Sequence, residues 1–485
     1  MAKPTVFVLI ILMFFMAVSV VCGEVIYVDA NSPNFPGTGT KSDPFRRIQD
    51  AIDDKDTGSW DIVEIQPGIY TGRGNYNIDP NGFAIMIRSI DPNDSDIVAS
   101  TIIDPNGAGR GFDLYRGENR NCIIAGLTIS NGNAFFDIGG DGGAIRCTQG
   151  SSPTIRNCVI ENCEAMVSGG GISCAGGSPY IIGCLIKDNF AEWYGGGISF
   201  VECNEGDIPI ITRCRITGNY AGWEGGAIDL GLSNLALDKC VISDNEAATN
   251  GGGINCFDSS ELSMINCTVA ANTAADSGGA LYCWYGSTAQ VKNDILWANE
   301  ASQGSQISVP FLYGRDSSVS VYYSDVQQGQ NGVFVDPCSI LNWGQSNISE
   351  DPNFALFGPG PEAQLWDFHL SSRSGRWDVI IGDWVQDQFT SRCIDAGDPN
   401  SAYAGEPWPH GRRINIGAYG GTGQASMNGN RADFNIDGTV NLVDFAEFAR
   451  QWLNNEPCVE DMTGDGKVNS SDLVIFGYNW LWQEP

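Results

Sequence analysis

The amino-acid sequence predicts an all-β fold, a right-handed parallel β-helix with three strands per coil, followed by a small α-helical domain at the C-terminus. The first observation is a pattern of two glycines, one small residue and one apolar residue, which returns six times between residues 141 and 299. A period in the twenties with glycine corners is typical of a solenoid, whose single coil cannot bury its own apolar face. The apolar residues are Ile145, Ile172, Ile198, Ile228, Ile254 and Leu281, at intervals of 27, 26, 30, 26 and 27 residues.

A second pattern, Cys-x-Ile or Cys-x-Val, predicts another short strand in each coil. Its cysteine always stands 14 residues before the next glycine-corner apolar residue, and a third apolar position lies three residues before the cysteine. Because all three segments alternate apolar and polar residues, three strands per coil enclose one interior. The cysteines are Cys158, Cys184, Cys214, Cys240 and Cys267, and the third positions are Ile155, Ile181, Ile211, Leu237 and Met264.

A column of asparagines follows the cysteine column. In coils stacked at about 4.8 Å, side-chain amides can hydrogen-bond along the axis, which predicts a structural ladder and not a binding site. Stacked cysteines point the same way, with Cβ atoms farther apart than the roughly 3.8 Å of a disulfide, so buried free thiols are expected. The column starts at Cys163 and continues with Asn189, Asn219, Asn245, Asn272 and Asn299.

The paired glycine-corner and Ile-x-x-Asn elements resemble the repeats of bacterial polymorphic outer-membrane proteins and of the wider pectin-lyase-like β-helix superfamily. The resemblance covers about residues 120–300. It implies the fold but no particular activity, because this scaffold carries lyases, hydrolases, adhesins and proteins without any catalysis.

Composition limits the partners of the chain. It has 485 residues, with 58 acidic against 26 basic side chains and a net charge of −32. This balance argues against nucleic acid and anionic membranes, and it favours calcium or a solvated extracellular surface. Residues 1–23 carry one lysine, Lys3, and then an apolar run to Val21, which predicts a signal peptide and a secreted protein, and the resemblance above implies a bacterial one. A retained membrane anchor is the alternative.

The β-helix body is predicted over residues 24–420, with a cap at its N-terminal end. Phe45, Ile48, Ala51 and Ile52 have helical spacing behind Asp43, which predicts a short amphipathic helix capped by that aspartate. Such a helix would cover the open edge of the solenoid and prevent it from pairing with another chain. Residues 421–432 are small, polar and rich in glycine, so a linker is predicted there.

The C-terminal domain, residues 433–485, contains two copies of a calcium-loop pattern 28 residues apart. Oxygen-bearing side chains at alternate positions, a glycine at the sharp turn and a backbone carbonyl after it bring hard donors onto one Ca²⁺ ion. Thr463 is a weaker ligand than aspartate or asparagine, so the second loop is expected to bind Ca²⁺ less tightly. The predicted ligands are Asp433, Asn435, Asp437, Thr439, Asn441 and Asp444, and then Asp461, Thr463, Asp465, Lys467, Asn469 and Asp472.

Each calcium loop leads into an amphipathic helix, and this repeated unit resembles a type I dockerin module. The resemblance implies calcium-dependent folding and, as partner, a cohesin-like protein or a cell-surface scaffold. The residues before the last ligand differ between the repeats, whereas many dockerins use similar pairs there to contact a cohesin. A calcium-folded tag for surface attachment is therefore the alternative. The two pairs are Leu442 with Val443, and Ser470 with Ser471.

The bend between each asparagine and the next glycine corner carries the candidate carbohydrate site. It has a constant length and a variable content, and in two adjacent coils its aromatic residues align. Aromatic rings stacked on an exposed bend, beside Glu192 and Glu224, would give sugar rings a flat surface to bind. The candidate carbohydrate-binding residues are Phe190 with Tyr220, and Trp193 with Trp223.

The sequence identifies no catalytic residue. Arg213 and Arg215 are weak signs of a lyase, and a carboxylate pair for glycoside hydrolysis cannot be chosen by spacing. We expect a secreted monomer that binds, and is a candidate to degrade, an extracellular polysaccharide, with a calcium-dependent tail that attaches it to a scaffold or surface. Any enzyme activity would be that of a polysaccharide lyase or a glycoside hydrolase. The alternative is a non-catalytic adhesin or surface-structure protein.

Overall fold

The computed structural model describes residues 23–135, 139–204, 206–358, 363–435, 437–454, 458–463, 466–481 and 483, without the side chain of Gln364. The predicted signal peptide, apart from Gly23, lies outside the described residues, and so does Asp465 of the second calcium loop. In the part of the chain that is described, none of the helices has the length and apolar character needed to cross a bilayer.

The body is a right-handed parallel β-helix, as the sequence predicts. Three long parallel sheets of 9, 12 and 10 strands form its walls. We call them sheet 1, sheet 2 and sheet 3, in the order in which a coil passes through them after its glycine corner. A fourth sheet of 5 short strands, sheet 4, lies in the bend between sheet 3 and sheet 1. The three predicted strands per coil are confirmed, and five coils add this fourth one.

The strands of sheets 1 and 4 surround the candidate carbohydrate site. Sheet 1 contains Phe112–Leu114, Ile145–Cys147, Ile172–Ala175, Ile198–Val201, Ile228–Gly231, Ile254–Phe257, Leu281–Cys283, Ile307–Val309 and Val333–Val335. Sheet 4 contains Glu164–Ala165, Phe190–Ala191, Tyr220–Ala221, Glu246–Ala247 and Thr273–Ala274.

Sheets 2 and 3 complete the coils. Sheet 2 contains Val25–Val28, Ile62–Ile65, Met86–Ser89, Ile123–Ala125, Thr154–Arg156, Tyr180–Ile182, Ile210–Thr212, Asn234–Asp238, Glu261–Ile265, Thr288–Lys292, Ser318–Tyr322 and Ile340–Trp343. Sheet 3 contains Gly68–Tyr70, Thr101–Ile103, Thr128–Ser130, Val159–Glu161, Leu185–Lys187, Arg215–Thr217, Val241–Ser243, Thr268–Ala270, Ile295–Trp297 and Asp325–Val326.

The register places equivalent residues of successive coils directly over one another. In sheet 1, Ile172 pairs with Ile145 on one side and with Ile198 on the other. These glycine-corner residues all point inward and are buried in one continuous apolar core. The apolar residues of the glycine-corner repeat therefore fill the interior, as the sequence predicts.

Glycine is required at the corner for two separate reasons, which Gly225 and Gly226 illustrate. Gly225 has a φ of +72°, and a Cβ atom built on it would lie 2.6 Å from the carbonyl oxygen of Ile228. A Cβ atom on Gly226 would lie 2.3 Å from the carbonyl oxygen of Gly252 in the next coil. The first glycine supplies the turn and the second allows the coils to approach.

The predicted asparagine ladder is confirmed. Asn219 donates its side-chain amide to Oδ1 of Asn245 at 2.9 Å, and Asn245 donates in the same way to Asn272 at 2.8 Å. Each Oδ1 also accepts the backbone N–H of the preceding rung, as Asn245 Oδ1 does from Asn219 at 3.0 Å. The ladder starts with the backbone N–H of Cys163, which donates to Asn189. It thus satisfies backbone donors at a buried bend.

The cysteines of the second column are free thiols, as predicted. Cys158, Cys184, Cys214, Cys240 and Cys267 are all buried and unpaired. Their Sγ atoms instead contact backbone groups, and Cys214 Sγ lies 3.4 Å from the backbone nitrogen of Cys184. These cysteines therefore act as small apolar core residues.

A short helix covers the N-terminal end of the solenoid, but it begins later than predicted. The helix, α1, spans Ile48–Ile52, and Ile48, Ala51 and Ile52 are buried against the first coils. Asp43 does not cap it. Phe45 is extended and bridges to Val28, which keeps the preceding residues out of the helix, and Asn75 Oδ1 accepts the backbone N–H of Ile48 at 2.9 Å. A second short helix, α2, spans Ser95–Ser100.

After the last coil the chain returns along the outer face of sheet 3. Two antiparallel hairpins lie in this segment, and backbone groups of Asn415 and Ala418 bond to the side chains of Asn266 and Thr268 at 3.0 and 3.1 Å. One sheet face of the solenoid is therefore covered by its own C-terminal segment. The hairpins pair Phe354–Leu356 with Asp367–Leu370 and Arg376–Asp378 with Asp383–Val385, and 3₁₀ turns span Gly329–Gly332 and Ala363–Leu365.

The segment predicted as a linker, residues 421–432, is packed instead of free. Ala425, Met427 and Ala432 are buried, and the backbone N–H of Met427 donates to the carbonyl of Gly375 at 2.8 Å. Small residues can fit against a neighbouring backbone, so a segment of this composition can pack against the body.

The C-terminal domain contains two helices, α3 at Leu442–Arg450 and α4 at Ser470–Tyr478. Phe434, Phe448 and Phe476 form its core, and Trp408 of the preceding segment packs against that core. Each helix starts in a capping box, with Asn441 and Asp444 in the first and Asn469 and Asp472 in the second.

Replacing a central rung of the ladder is expected to destabilise the body strongly. Asn245→Ala removes an oxygen that accepts two N–H groups and an amide that donates to Ile216, Ser243 and Asn272. Buried donors would lose their partners, so the free energy of unfolding should fall by roughly 3 kcal/mol. Chemical denaturation measures the change. Asn331→Ala, at an exposed residue, is the control, and an equal loss in both variants would contradict a role for the ladder.

Candidate functional site

The predicted carbohydrate-binding residues form two stacked pairs. Phe190 and Tyr220 are register partners in sheet 4, and their rings stack with centroids 5.7 Å apart and an angle of 4° between their planes. Phe135 extends this stack, with its centroid 6.2 Å from that of Phe190. The alignment of the repeats therefore predicts this contact correctly.

The second predicted pair, Trp193 and Trp223, lies on one side of the solenoid and faces solvent. The ring centroids are 5.5 Å apart, and the side chains are 44% and 43% exposed. The backbone N–H of Trp223 donates to the carbonyl of Trp193 at 3.0 Å, which fixes the two rings in adjacent coils. Among the described residues, no ring contact joins this pair to Phe190 and Tyr220, so the four residues form two surfaces.

The tryptophan pair is part of a longer row of rings that the sequence analysis missed. Each ring of the row contacts the next one. The centroid distances are 5.9 Å between Trp223 and Tyr194, 6.4 Å between Tyr194 and Phe257, 5.8 Å between Phe257 and Trp284, and 6.2 Å between Trp284 and Tyr313. Phe257 and Trp284 both stand three residues after a glycine-corner residue, which is the signal that would have found them. We call this row the aromatic strip: Trp193, Tyr194, Trp223, Phe257, Trp284 and Tyr313.

The strip covers polar side chains on the outer face of sheet 1. Glu224 is only 6% exposed and Asp229 only 2%, although outward-facing carboxylates are ordinarily solvated. The side-chain amide of Asn255 donates to both, at 3.1 Å to Glu224 and 2.8 Å to Asp229. Trp284 of the strip donates its indole N–H to Asn255 Oδ1 at 3.1 Å. Rings, amide and acids thus form one connected cluster.

Glu224 therefore differs from its predicted role as an exposed partner of the tryptophans. Its second oxygen accepts from the amide of Asn250 at 3.0 Å, so both oxygens are bonded within the protein. Glu192, the other predicted carboxylate, is exposed. The bend turns Glu224 towards sheet 1 and Trp223 towards solvent, and this alternation could not be inferred from the aligned bends.

The burial of the two acids changes their protonation. Burial raises the pKa of Glu224, against the opposing effect of the Asn250 and Asn255 amides. Burial also raises the pKa of Asp229 well above its ordinary value, the Asn255 amide opposes this, and the nearby charge of Glu224 adds to it. For Asp229, burial and the like charge of Glu224 thus favour the protonated form, and the Asn255 amide opposes them.

This arrangement predicts a pH-dependent cost of folding at Asp229. As the pH rises above the ordinary value near 3.8, the unfolded chain releases the proton while the folded protein holds it, so stability falls. Asp229→Asn keeps an acceptor for Asn255 and has no proton to lose. The melting temperature of this variant minus that of the natural protein should therefore increase as the pH rises from about 4.5 to about 8.

The matched control for this prediction is Asp276→Asn, because Asp276 is an exposed carboxylate in a nearby coil. Its melting temperature should follow that of the natural protein across the same range. A constant difference for Asp229→Asn would show that Asp229 is ionised in the folded state.

The arginines considered as signs of a lyase have separate positions. Arg215 donates to the carbonyls of Trp366 and Ala363 at 2.9 and 3.1 Å, and its guanidinium lies 5.7 Å from the ring centroid of Phe368. It therefore holds the returning C-terminal segment. Arg213 is exposed. Neither contacts the acids beneath the aromatic strip, which lie on a different sheet.

The aspartates of the first calcium loop accept hydrogen bonds from within the loop. Asp433 accepts from the backbone N–H groups of Asp437 and Gly438 at 3.2 and 2.9 Å, and Asp444 accepts from Asn435 at 3.2 Å. Burial raises the pKa of Asp433, and the nearby charges of Asp444 and Asp437 add to it. Like charges brought together at a turn are relieved when a cation binds, so the donor set fits Ca²⁺.

Two side chains complete the first loop. Thr439 donates its hydroxyl to Asp437 at 2.6 Å, and Asn441 donates its amide to the Thr439 hydroxyl at 2.8 Å. Asn441 is therefore both the cap of α3 and the predicted ninth-position ligand. Hydrogen bonds within the first loop link its six predicted ligand residues to one another.

The second loop has the same outline with fewer described residues. Asp461 accepts from the backbone N–H of Gly466 at 2.7 Å, and Thr463 donates its hydroxyl to Asp472 at 3.0 Å. Asn469 donates its backbone N–H to Asp472 at 2.9 Å. Lys467 is exposed and could contribute only its backbone carbonyl.

A ready-made metal cluster is absent from the described residues, in the sense of three or more His, Cys, Asp or Glu side chains close enough to share an ion. Asp465, the fifth-position ligand, is outside those residues. Amide, hydroxyl and carbonyl donors make up the remaining ligands of such loops.

Two family models match this chain. Residues 184–322 match the right handed beta helix region, and residues 431–476 match the dockerin type I domain. The body is thus a β-helix and the C-terminal domain is a type I dockerin, as the sequence predicts. None of the curated proteins matches this chain.

Three solved structures share similarity with the chain at low identity. A pectate lyase, Pel9A, has 14% identity and a TM-score of 0.46, covering 84% of this chain and 96% of its own. A rhamnogalacturonan lyase has 12% identity and a TM-score of 0.35, covering 69% and 91%. A GH136 lacto-N-biosidase from Eubacterium ramulus has 11% identity and a TM-score of 0.21, covering 66% and 68%.

Proposed function

From a β-helix body that ends in a type I dockerin domain, we propose a secreted protein that binds an extracellular polysaccharide and is attached to a scaffold or cell surface. The aromatic strip is the observation that carries the binding half of this proposal. The dockerin domain supports the attachment half.

The strip has the dimensions and chemistry of a glycan surface. It crosses five successive strands of sheet 1, a length of about 20 Å at the coil spacing of about 4.8 Å. Apolar faces of sugar rings stack on aromatic side chains, and neighbouring carboxylates such as Glu192 accept hydroxyl hydrogens. Exposed tryptophans in a row are otherwise costly on a solvated surface.

A non-catalytic adhesin is the second candidate, and one observation favours it. Glu224 and Asp229 lie beneath the strip, and both are buried among protein partners. Glycoside hydrolysis needs two carboxyl groups that reach the scissile bond. Release of reducing or unsaturated ends from a panel of polysaccharides would establish an enzyme, and binding without release would support the adhesin.

Removing the exposed tryptophans is expected to weaken polysaccharide binding. Trp193→Ala with Trp223→Ala deletes the two exposed indole rings of the strip, so affinity on a glycan array should fall by about tenfold or more. Trp60→Ala is the matched control, because Trp60 is an exposed tryptophan near the N-terminal end. Equal binding by the double variant and the natural protein would contradict the strip as the site.

We further propose that the two dockerin loops bind Ca²⁺, held by the twelve residues predicted above. Bound Ca²⁺ would supply positive charge that offsets the converging aspartates and so stabilise the entry into α3 and α4. Leu442 is 71% exposed and Val443 is also exposed, whereas the equivalent Ser470 and Ser471 are polar. An apolar partner surface, such as that of a cohesin-like protein, would favour the first repeat.

Calcium binding can be tested by calorimetry on the full chain. Asp433→Ala with Asp461→Ala removes the first ligand of each loop and should abolish calcium uptake. Glu261→Ala with Asp276→Ala removes the same charge from exposed positions on the body and should leave uptake unchanged. Unchanged uptake in the first variant would falsify the assignment.

We also propose the division of the chain into a signal peptide, residues 1–23, a body, residues 24–420, a connecting segment, residues 421–432, and the dockerin domain, residues 433–485. The acidic balance of −32 supports an extracellular location and argues against nucleic acid as a partner. The short helix α1 covers the N-terminal edge of the solenoid, which supports a monomer.

A further inference from the structure

A large concavity lies where the body meets the dockerin domain. It has a volume of about 1180 Å³ and is bounded by the second hairpin, by residues 428–431, by Ile475 of α4 and by Asn479, which follows that helix. The concavity is separate from the aromatic strip. The strip lies on sheet 1 and its bends, whereas the concavity is lined by residues that come after the last coil of the solenoid. Its principal side chains are Arg373, Trp384, Phe389, Arg392, Asn430 and Arg431.

The concavity is basic in a strongly acidic protein. Three arginines line it against a single carboxylate, that of Asp383, while the chain as a whole carries a net charge of −32. Within the described chain, no carboxylate lies within 4.0 Å of the guanidinium of Arg373, Arg392 or Arg431, since no ion pair involves them. Their positive charge is therefore available to a ligand.

The neighbouring Arg376, unlike these three arginines, is paired with carboxylates. Arg376 lies 3.1 Å from a carboxylate oxygen of Asp387 and 3.5 Å from one of Asp367, and it is buried. Arg373 donates instead to the carbonyl of Gln388 at 2.8 Å, and Arg431 contacts the sulfur of Met427 at 3.7 Å. These contacts position two of the three guanidinium groups without neutralising them.

Aromatic and amide groups accompany the charge. Phe389 is 61% exposed, and Trp384 is held by an edge contact with Trp377 at a centroid distance of 5.6 Å. Asn430 donates its amide to Asn479, directly after α4, at 2.9 Å, which joins the two walls. Rings suit the apolar faces of sugars, amides suit hydroxyl groups, and guanidinium forks suit carboxylate or sulfate groups bidentately.

We propose that this concavity binds an anionic saccharide, one that carries carboxylate or sulfate groups. An acidic peptide would use the arginines but would not need an exposed ring beside them, so the combination of groups favours the sugar. The site is separate from the aromatic strip, and its occupancy depends on contacts from both the body and the dockerin domain.

The test measures binding to the intact protein by calorimetry in calcium-containing buffer. The probes are a galacturonate trisaccharide, which carries carboxylates, a sulfated galactose trisaccharide, and the neutral galactose trisaccharide. Arg373→Gln, Arg392→Gln and Arg431→Gln together should weaken binding of the charged probes by about tenfold or more, because charged hydrogen bonds are lost. Comparison of the two charged probes identifies carboxylate or sulfate as the preferred group.

Two controls separate a site from a general effect of charge or folding. Arg46→Gln, Arg73→Gln and Arg450→Gln remove the same charge from exposed positions elsewhere and should leave affinity within about twofold. Arg392→Gln alone, at an exposed residue, should still weaken binding if the triple variant proves unstable. Equal losses in both triple variants, or equal affinity for the neutral probe, would overturn the proposal.

The aromatic groups distinguish a sugar from a peptide. Phe389→Ala should lower the affinity for the charged saccharides by about threefold or more, since a stacking surface is lost. Hexaaspartate is the peptide probe. If it binds as tightly as the saccharides and Phe389→Ala changes neither, the site takes an acidic peptide and the proposal fails. Binding of the saccharides that persists in Trp193→Ala with Trp223→Ala supports a site independent of the strip.

Discussion

The parallel register between successive coils is the constraint on which the rest of the structure depends. Backbone pairing fixes Ile172 between Ile145 and Ile198, and the asparagine ladder repeats the same alignment at the start of the bend that leads to the glycine corner. A shift of one residue would move every inward side chain to the outer face. The interval of 30 residues is accommodated because its extra residues lie between the strands Ile198–Val201 and Ile210–Thr212, outside both aligned bends. The solenoid therefore tolerates insertions where no column passes.

The same register also determines the pattern of side chains on the outer surface. A residue type that recurs at one position of the repeat becomes a row, and aromatic residues from adjacent bends become the aromatic strip. Rows of charge follow the same rule, but stacked carboxylates repel one another at a spacing of about 4.8 Å. Asn255 bridges Glu224 and Asp229, and burial is the main cause that raises the pKa of both carboxyl groups.

Sequence periodicity predicted the features that depend on one position of the repeat. The buried isoleucines, free cysteines, asparagine ladder and the Trp193–Trp223 contact belong to this group. Contacts between different positions of the repeat were not predictable, because their geometry depends on how far a bend folds over the sheet. The contact between Tyr194 and Phe257 and the burial of Glu224 are examples. The start of α1 and the packing of residues 421–432 depend on distant chain segments, which local composition does not report.

The non-repeating C-terminal segment determines which faces of the solenoid remain available. It bonds along sheet 3 through Arg215, Asn266 and Thr268, so that face is occupied by the chain itself. Sheet 1 and its bends lie away from these contacts, which is why the exposed rings are found there. The segment also places arginines of three different chain stretches around one concavity, beside α4 of the dockerin domain. Aligned coils place equivalent residues in rows. A surface that combines three positive charges with two different rings therefore requires chain segments that lie outside the repeat.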